Sequence, residues 1–473
     1  MKIKLSILLF LCALPFFSQT KIGSVDLELK KSSDFHQLYS TIDNFNDKFY
    51  VLAADKEITT LIKYNKALFF SDSLKTKTDK NYPLIIGNSF NHKNDFVAYW
   101  ASKDYKKFMS QTYDFNNHKT DTILFEIPFK DELLLSSFKH KNLFYFLSYV
   151  KKEEQLRLYA LQGNKYDEKT LDFKSFKLGL NQSRPISIAK YIATNPIEVI
   201  DNESFNPLYA ATNKVKLYAI KNKLLITLDY SSAQTHVFEI DLSSYEVKEK
   251  VFPKTAINSE EYDSNSFYHQ ENLYQLKANK NQLMISRHDY NEIESVQEYS
   301  VLAEEKIQFK NSPLYIQNGN SQPREIKNTE KFLKRLKNKS LGISVYQTEG
   351  DLLITVGGTN TTITSDGIVL GTLLTIGGIM IGDYGTFPDM TSSEIMQNVY
   401  FECRFDRKFK PKSTPFGPLA IDYISGFLQD NTTLKLQNTT KHKSYFILSY
   451  YDASAKQIIL RKFEDGYPLI SDF

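Results

Sequence analysis

The stretch Leu143–Leu161, LFYFLSYVKKEEQLRLYAL, decides the fold class. Large apolar residues alternate with small or polar ones on either side of the charged run Lys151-Lys152-Glu153-Glu154. Side chains of a strand point alternately to its two faces, so two such runs joined by a short polar turn read as a β-hairpin. Near the C-terminal end, Tyr445–Phe463 (YFILSYYDASAKQIILRKF) repeats the arrangement. Phe146-Leu147-Ser148-Tyr149 resembles Phe446-Ile447-Leu448-Ser449-Tyr450, and each string runs into a polar turn and a second alternating strand.

Working outward, five more units show the same pattern. They are Phe49–Tyr64; Phe96–Phe115 with a further strand at Thr122–Ile127; Leu224–Leu242 continued by Glu246–Phe252; Leu273–Val301 with turns near Asn279 and Asn291; and Leu352–Val356, resumed at Val399–Phe405 after an insertion. Several units start about 50 residues apart, the length of a four-stranded blade with its loops. A further strand at Ser24–Leu29 (SVDLEL) would pair with the last hairpin, close a ring and remove an exposed sheet edge. The expected architecture is therefore all-β: a β-propeller of about seven blades (six to eight), one domain over residues 20–473, with one short surface helix. Neither a Gly-His…Trp-Asp pattern nor a regular double-glycine repeat is present, so the pattern points to an architecture and to no particular family. The runner-up is two β-sandwich domains joined near residues 190–215, a region flanked and crossed by Pro185, Pro196 and Pro207.

The helix is expected at Thr329–Lys339 (TEKFLKRLKNK), where Phe332, Leu333 and Leu336 share one face. Its cations suit a solvated blade edge, or a contact with anionic lipid or an acidic partner.

Composition agrees with a packed β protein. Hydrophobic residues make up 41% of the 473, and 30 Tyr and 34 Phe stand against a single Trp. Aromatic residues favour pleated, half-buried surfaces. The formal net charge is +4, and removal of Lys2 and Lys4 with a leader brings it to +2, so there is no electrostatic footprint for nucleic acid.

Lys2 and Lys4 precede the uninterrupted apolar run Leu5–Phe17, and Ser18, Gln19 and Thr20 follow it. This is the layout of a signal peptide over residues 1–19, too short to span a bilayer comfortably, and it implies export to the periplasm or exterior. Phe16 departs from the small residue expected before the cleavage site. Cys12 would leave with the leader, and Cys403, alone in the run Tyr400–Phe405, is expected to be a buried structural thiol with no disulfide partner.

One segment breaks the pattern, an apolar Gly-rich insertion at 357–387. Its core, Gly367–Gly382 (GIVLGTLLTIGGIMIG), carries no charge and lies between Asp366 and Asp383. Its glycines argue against a helix and for a hairpin turning near Gly377-Gly378. Ile368, Leu370, Leu373, Ile376, Ile379 and Ile381 then supply apolar faces, which are candidate contacts for a partner protein or a membrane. In the competing reading the hairpin folds back on the ring or plugs its channel.

Chemistry-bearing motifs are absent. There is no Gly-x-Ser-x-Gly, no phosphate-binding Gly-x-x-x-x-Gly-Lys-Ser/Thr and no His-Glu-x-x-His, and the eight histidines are scattered singly. Asp263-Ser264-Asn265 and Asp114-Phe115-Asn116-Asn117 are partial calcium loops at best and read as turns. Arg404, Asp406 and Arg407 read as a solvated strand end. No catalytic, cofactor or metal residue is assigned and no cofactor is expected. The functional expectation is an exported bacterial envelope propeller, a binding or scaffolding module for a protein or glycan partner. The alternative is a secreted hydrolase or lyase acting on glycans or peptides from the central funnel. Weak membrane contact is a third expectation, and the oligomeric state is open.

Overall fold

The computed structural model describes residues 19–30, 36–127, 129, 131–176, 178, 186–257, 263–318, 321–348, 350–360, 397–434 and 436–466. Among them the strands form seven sheets, five of four strands and two of five. From the axis outward, blade 1 runs Gln37–Asp43, Lys48–Ala54, Ile58–Tyr64, Phe70–Lys77, and blade 2 runs Leu84–Phe90, Phe96–Ala101, Phe108–Asp114, Lys119–Phe125. Blade 3 runs Glu132–His140, Leu143–Val150, Gln155–Gln162, Lys165–Leu171. Blade 4 runs Val215–Ile220, Lys223–Leu228, Gln234–Asp241, Val247–Pro253, and blade 5 runs Asp263–His269, Asn272–Ala278, Gln282–Asp289, Val296–Leu302. The protein is an all-β propeller of seven blades.

The hairpins recognised in the sequence are the second and third strands of these blades. Each is packed against the blades on both sides, so both of its faces are buried and its residues are large and apolar. The innermost strands are harder to read in the sequence because small and polar residues interrupt their apolar ones. Ser40, Thr41, Asn88, Ser89, Ser136, Ser137, Ser266 and Asn438 are all buried there. Crowding at the axis leaves little room for large side chains, and the polar groups bond from blade to blade. Tyr39 Oη donates to Asn88 Oδ1 at 2.6 Å and Ser40 Oγ to Asn438 Oδ1 at 2.6 Å.

The ring closes with one strand from each end of the chain. Gln19–Asp26 pairs antiparallel with Gln457–Glu464, Ser24 opposite Ile459, and forms the outermost strand of blade 7 beside Gln437–His442 and Tyr445–Asp452. Leu27 and Leu29 then enter the core shared by blades 7 and 1. Blade 6 is permuted. Its fourth strand, Leu314–Asn318, and a short fifth, Arg324–Ile326, precede the inner three, Ser340–Gln347, Asp351–Thr359 and Gln397–Asp406.

Four helices occur among the described residues: α1 (Ile188–Thr194), α2 (Leu208–Ala211), α3 (Thr329–Leu336) and α4 (Ala420–Asp430). The expected helix is α3, three residues shorter than read. Asn328 caps it by accepting from Lys331 N at 3.1 Å, and Phe332, Leu333 and Leu336 are its buried face. The other three correct the expectation of a single helix. α1 and α2 are short, whereas α4 places Ala420, Ile424 and Leu428 on one buried face at a helical spacing that its sequence carries.

The insertion also begins later than read. Gly357, Gly358 and Thr359 belong to the second strand of blade 6, opposite Tyr400, Val399 and Asn398. Glycine at 357 reflects close approach: a Cβ there would sit 2.1 Å from Val399 O. Ile368, Leu370, Leu373, Ile376, Ile379 and Ile381 lie outside the described residues, as do residues 1–18 of the leader.

Candidate functional site

The central channel is the usual place for a propeller ligand, and here the chain itself occupies it. Ile197–Ile200 adds a parallel strand to the axis side of blade 4 and touches the innermost strand of blade 3. The chain then crosses to blade 6, where α2 packs on Ser340–Gln347 and Asp351–Thr359. Phe205 meets Tyr346 at 5.9 Å, and Asn206 O accepts from Ser344 Oγ at 2.5 Å. Gly342 lets the segment pass, since a Cβ there would lie 2.8 Å from Thr212 Cγ2. The proline-bearing stretch read as a linker between sandwiches is thus a plug inside one ring. The reading of Gly367–Gly382 as a hairpin folded on the ring or plugging its channel falls on residues outside the described ones.

Around the plug lies a buried ionic knot. Asp229 faces Lys216 at 3.7 Å and Lys254 at 3.0 Å, and it accepts from Thr235 Oγ1 at 2.8 Å and from Ser266 N and Oγ at 3.0 and 2.7 Å. Lys216 donates to Asn265 Oδ1 at 2.6 Å, and Asn265 Nδ2 donates to Thr212 O and Leu341 O. Asp263 pairs with Lys214 and accepts from Leu341 N at 3.0 Å. Burial alone would raise the Asp229 carboxyl, but Lys254, Lys216 and Lys214 outweigh it and hold the group far below the usual carboxylate range. Burial pulls the Lys216 ammonium down to about 8. Glu198, on the plug strand, is pushed up to about 8 by burial against the attraction of Lys216. These groups satisfy one another, so the knot is structural.

A cavity of about 1020 Å³ lies between the outer parts of blades 1 and 2. Its walls are the turn Lys56-Glu57-Ile58, the end of the outer strand and following linker from Lys75 to Lys80, and Met109, Gln111 and Thr122 of blade 2. Lys75 and Lys77 are two residues apart on one strand and so share a face. Lys56, Lys75, Lys77 and Lys80 have no carboxylate within ion-pair reach among the described residues, whereas Glu57 is already paired with Lys30 at 3.3 Å. Four such ammonium groups round a cleft with hydroxyl and amide walls form a cradle for anionic groups. Three of the four lysines stand in the run Lys75–Lys80 with Asp79 among them, and that run alone reads as a solvated strand end; the facing wall comes from blade 2.

A second cavity, about 400 Å³, separates blade 6 from the segment leading to α4 and is lined by Phe205, Phe416, Glu402, Asp422 and Cys403 among others. Burial, then Asp422, pushes the Glu402 carboxyl up to about 7. Asp422 is committed to capping α4, accepting from Leu419 N at 2.8 Å. Glu402 can exchange a proton near neutral pH, with no second free carboxyl beside it.

Other residues named from the sequence fall as follows. Cys403 is buried and its thiol is raised, first by burial. Arg404 is not at a solvated end: it is buried on Asp351 at 2.7 Å and donates to Thr414 Oγ1 and Pro415 O. Only its neighbourhood suggested solvent, because the partners lie far off in sequence. Asp114 accepts from Asn116 N and Asn117 N in a hairpin turn, and Asp263-Ser264-Asn265 begins the inner strand of blade 5. Among the described residues no group of three or more His, Cys, Asp or Glu is placed to hold a metal ion, and no helix is long and apolar enough to cross a membrane.

No family model and no curated protein matches the chain. Solved propellers do resemble it in shape. The Dos1 propeller has a TM-score of 0.34 at 11% identity, covering 94% of this chain and 96% of that one. The Vanderwaltozyma polyspora Nup133 β-propeller domain has a TM-score of 0.33 at 10% identity, covering 94% and 97%. The WD40 domain of SCAP from fission yeast has a TM-score of 0.30 at 10% identity, covering 91% and 82%.

Proposed function

We propose that this protein is an exported bacterial envelope module that binds an acidic protein or glycan partner in the cleft between blades 1 and 2. The observation that carries the reading is the set of four lysines, Lys56, Lys75, Lys77 and Lys80, without an ion-pair partner among the described residues, around a cleft of about 1020 Å³. Export is supported by the apolar run Leu5–Phe17 behind Lys2 and Lys4. A scaffold role suits a ring closed by its own termini and filled along its axis, which holds the cleft walls rigid. The filled channel also leaves the hydrolase alternative without the open funnel it needs.

The test is co-purification of a partner from envelope extract, with Lys75→Glu/Lys77→Glu as the comparison. The double variant should lose the partner and keep the wild-type thermal midpoint, since both side chains are exposed. Capture by the wild type should also weaken steeply as salt rises. A partner retained by the double variant removes the cleft from the reading. A partner lost only when Gly367–Gly382 is deleted assigns the contact to the apolar insertion instead.

A further inference from the structure

The most exposed phenylalanines of the described chain are gathered at one end of blade 1. Phe45 is 70% exposed, Phe69 65% and Phe70 51%. Phe45 stands in the turn between the first and second strands, and Phe69 and Phe70 end the turn between the third and fourth. In an up-and-down sheet these two turns lie at the same end. Lys66 of one turn indeed reaches Asp47 of the other at 3.2 Å.

Both turns are built to hold the rings outward. Asp43 Oδ1 accepts from Phe45 N at 3.0 Å and from Asn46 N at 3.2 Å. Asn142 of blade 3 ties this turn down, donating to Asp43 Oδ1 at 2.8 Å and accepting from Asn44 N at 3.2 Å. In the second turn, Asn65 Oδ1 accepts from Ala67 N and Phe69 N at 2.9 and 3.1 Å, and Asn65 N donates to Phe69 O. Leu68 sits at φ 64°, a conformation that points it inward, where it is buried, and leaves Phe69 outside. A strained, hydrogen-bonded turn that buries a leucine and exposes the next two phenylalanines is not a frayed tip.

The charges beside the rings are mainly positive. Lys66 and Lys443 share the single carboxylate of Asp47, at 3.2 and 3.3 Å, and Lys48 follows directly. Phe has no polar handle, so its ring gains most by passing beyond headgroups into acyl chains, while flanking lysines meet headgroup phosphates. The surface is two projecting turn tips, a shape that enters a deformable phase.

We infer that the Phe45, Phe69 and Phe70 end of blade 1 inserts into the surface of an anionic lipid bilayer, with Lys66 and Lys443 on the headgroups. This surface is separate from the lysine cleft and from the apolar insertion, and it does not rest on the function proposed above.

The test uses the full chain and a reporter at the tip. Trp100, the single tryptophan, is buried in blade 2 and serves as an internal reference. In Phe45→Trp, vesicles of phosphatidylglycerol and phosphatidylcholine with brominated acyl chains should blue-shift and quench the new emission, while emission from the unsubstituted chain stays unquenched. Pure phosphatidylcholine should give much less quenching. In flotation, each Phe→Ser change should lower partitioning roughly tenfold and Lys66→Glu or Lys443→Glu roughly fivefold. Leu124→Ser, an exposed apolar residue of blade 2, should change nothing. Absence of quenching and blue shift at position 45, whether or not the chain floats through another segment, overturns the inference. So does equal quenching by neutral and anionic vesicles together with insensitivity to the lysine changes.

Discussion

Blades 1–3 and blades 4–6 close the same ring with different chemistry. Between blades 1, 2 and 3 the joint is aromatic. Tyr50 meets Phe96 at 5.2 Å and Phe90 at 5.5 Å, Tyr99 meets Phe144 at 5.6 Å and Phe108 meets Phe146 at 5.4 Å. Between blades 4, 5 and 6 the axis side is the ionic knot of Asp229, Asp263, Lys214, Lys216 and Lys254. The difference follows from the plug. Residues 197–213 bring bare carbonyls such as Thr212 O and Asn206 O into the interior, and buried backbone groups require partners. Asn265 and Ser344 supply them. Rings also fill the space between blades 4, 5 and 6, Tyr218 on Tyr268 at 5.7 Å and Tyr299 on Phe405 at 5.3 Å, so the knot is added to aromatic packing and does not replace it.

The largest effect is expected from cutting the knot. In Asp229→Ala, Lys216 and Lys254 stay buried with no opposing charge at contact distance, a loss of about 3–5 kcal/mol. Urea midpoints at pH 7 measure it. A loss under about 1 kcal/mol would mean that the knot adds little to the packing of blades 4–6, and the contrast between the halves would collapse.

The two halves should also respond to pH with opposite sign. Glu198 has a folded pKa of about 8, raised by burial from 4.5. Between those values the folded state holds a proton that the unfolded state has released, so this group lowers stability as pH rises from 4.5 to 8. Lys139, in blade 3, is pulled down to about 7 from 10.5 by burial, and it donates to Thr41 Oγ1 and Ile42 O of blade 1 at 2.6 and 2.8 Å. There the unfolded state holds the extra proton, so stability rises from pH 7 towards 10.5. Glu198→Gln should therefore stabilise the protein at pH 8.5, by on the order of 2 kcal/mol, and leave it unchanged at pH 4. Lys139→Met should flatten the rise between pH 7 and 9.5. Stability profiles of the two variants moving in the same direction would show that neither buried group is set as described.

The halves also differ in how far the sequence disclosed them. The second and third strands of every blade are legible because contact with two neighbouring blades demands large apolar residues, as in Leu143–Leu161. Ring closure is legible in part: a strand near the start pairs with the last hairpin as read, but it runs Gln19–Asp26 and not Ser24–Leu29, since Leu27 and Leu29 leave it for the core. The inner strands are less legible, because their sequences, such as Gln437–His442 (QNTTKH), answer to crowding and to polar partners in other blades. The plug is hidden for the same reason. Its prolines mark a break in strand pattern, yet nothing local says that the break points down the axis. The lysines of the cleft are visible in blade 1, three of them between Lys75 and Lys80, but its facing wall of Met109, Gln111 and Thr122 comes from blade 2 and no local window joins the two. The apolar positions from Ile368 to Ile381 stand as a reading of the sequence alone.

The smallest effect probes one of the polar contacts within the aromatic half. Tyr39 and Asn88 make a buried polar contact between the inner strands of blades 1 and 2, at 2.6 Å. Asn88 Nδ2 already lacks a partner among the described residues, so the tyrosine hydroxyl is what satisfies this side chain. Tyr39→Phe keeps the ring and its packing and strips the donor, which leaves Asn88 Oδ1 buried and unbonded at a loss of about 1–2 kcal/mol. Asn88→Ala in that background should cost less than in the wild type, because the donor it would have deserted is already gone. Equal costs in the two backgrounds would mean that the hydroxyl contributes nothing across the joint, and blades 1–3 would then be held by aromatic packing down to the axis, which sharpens the contrast with the knot opposite.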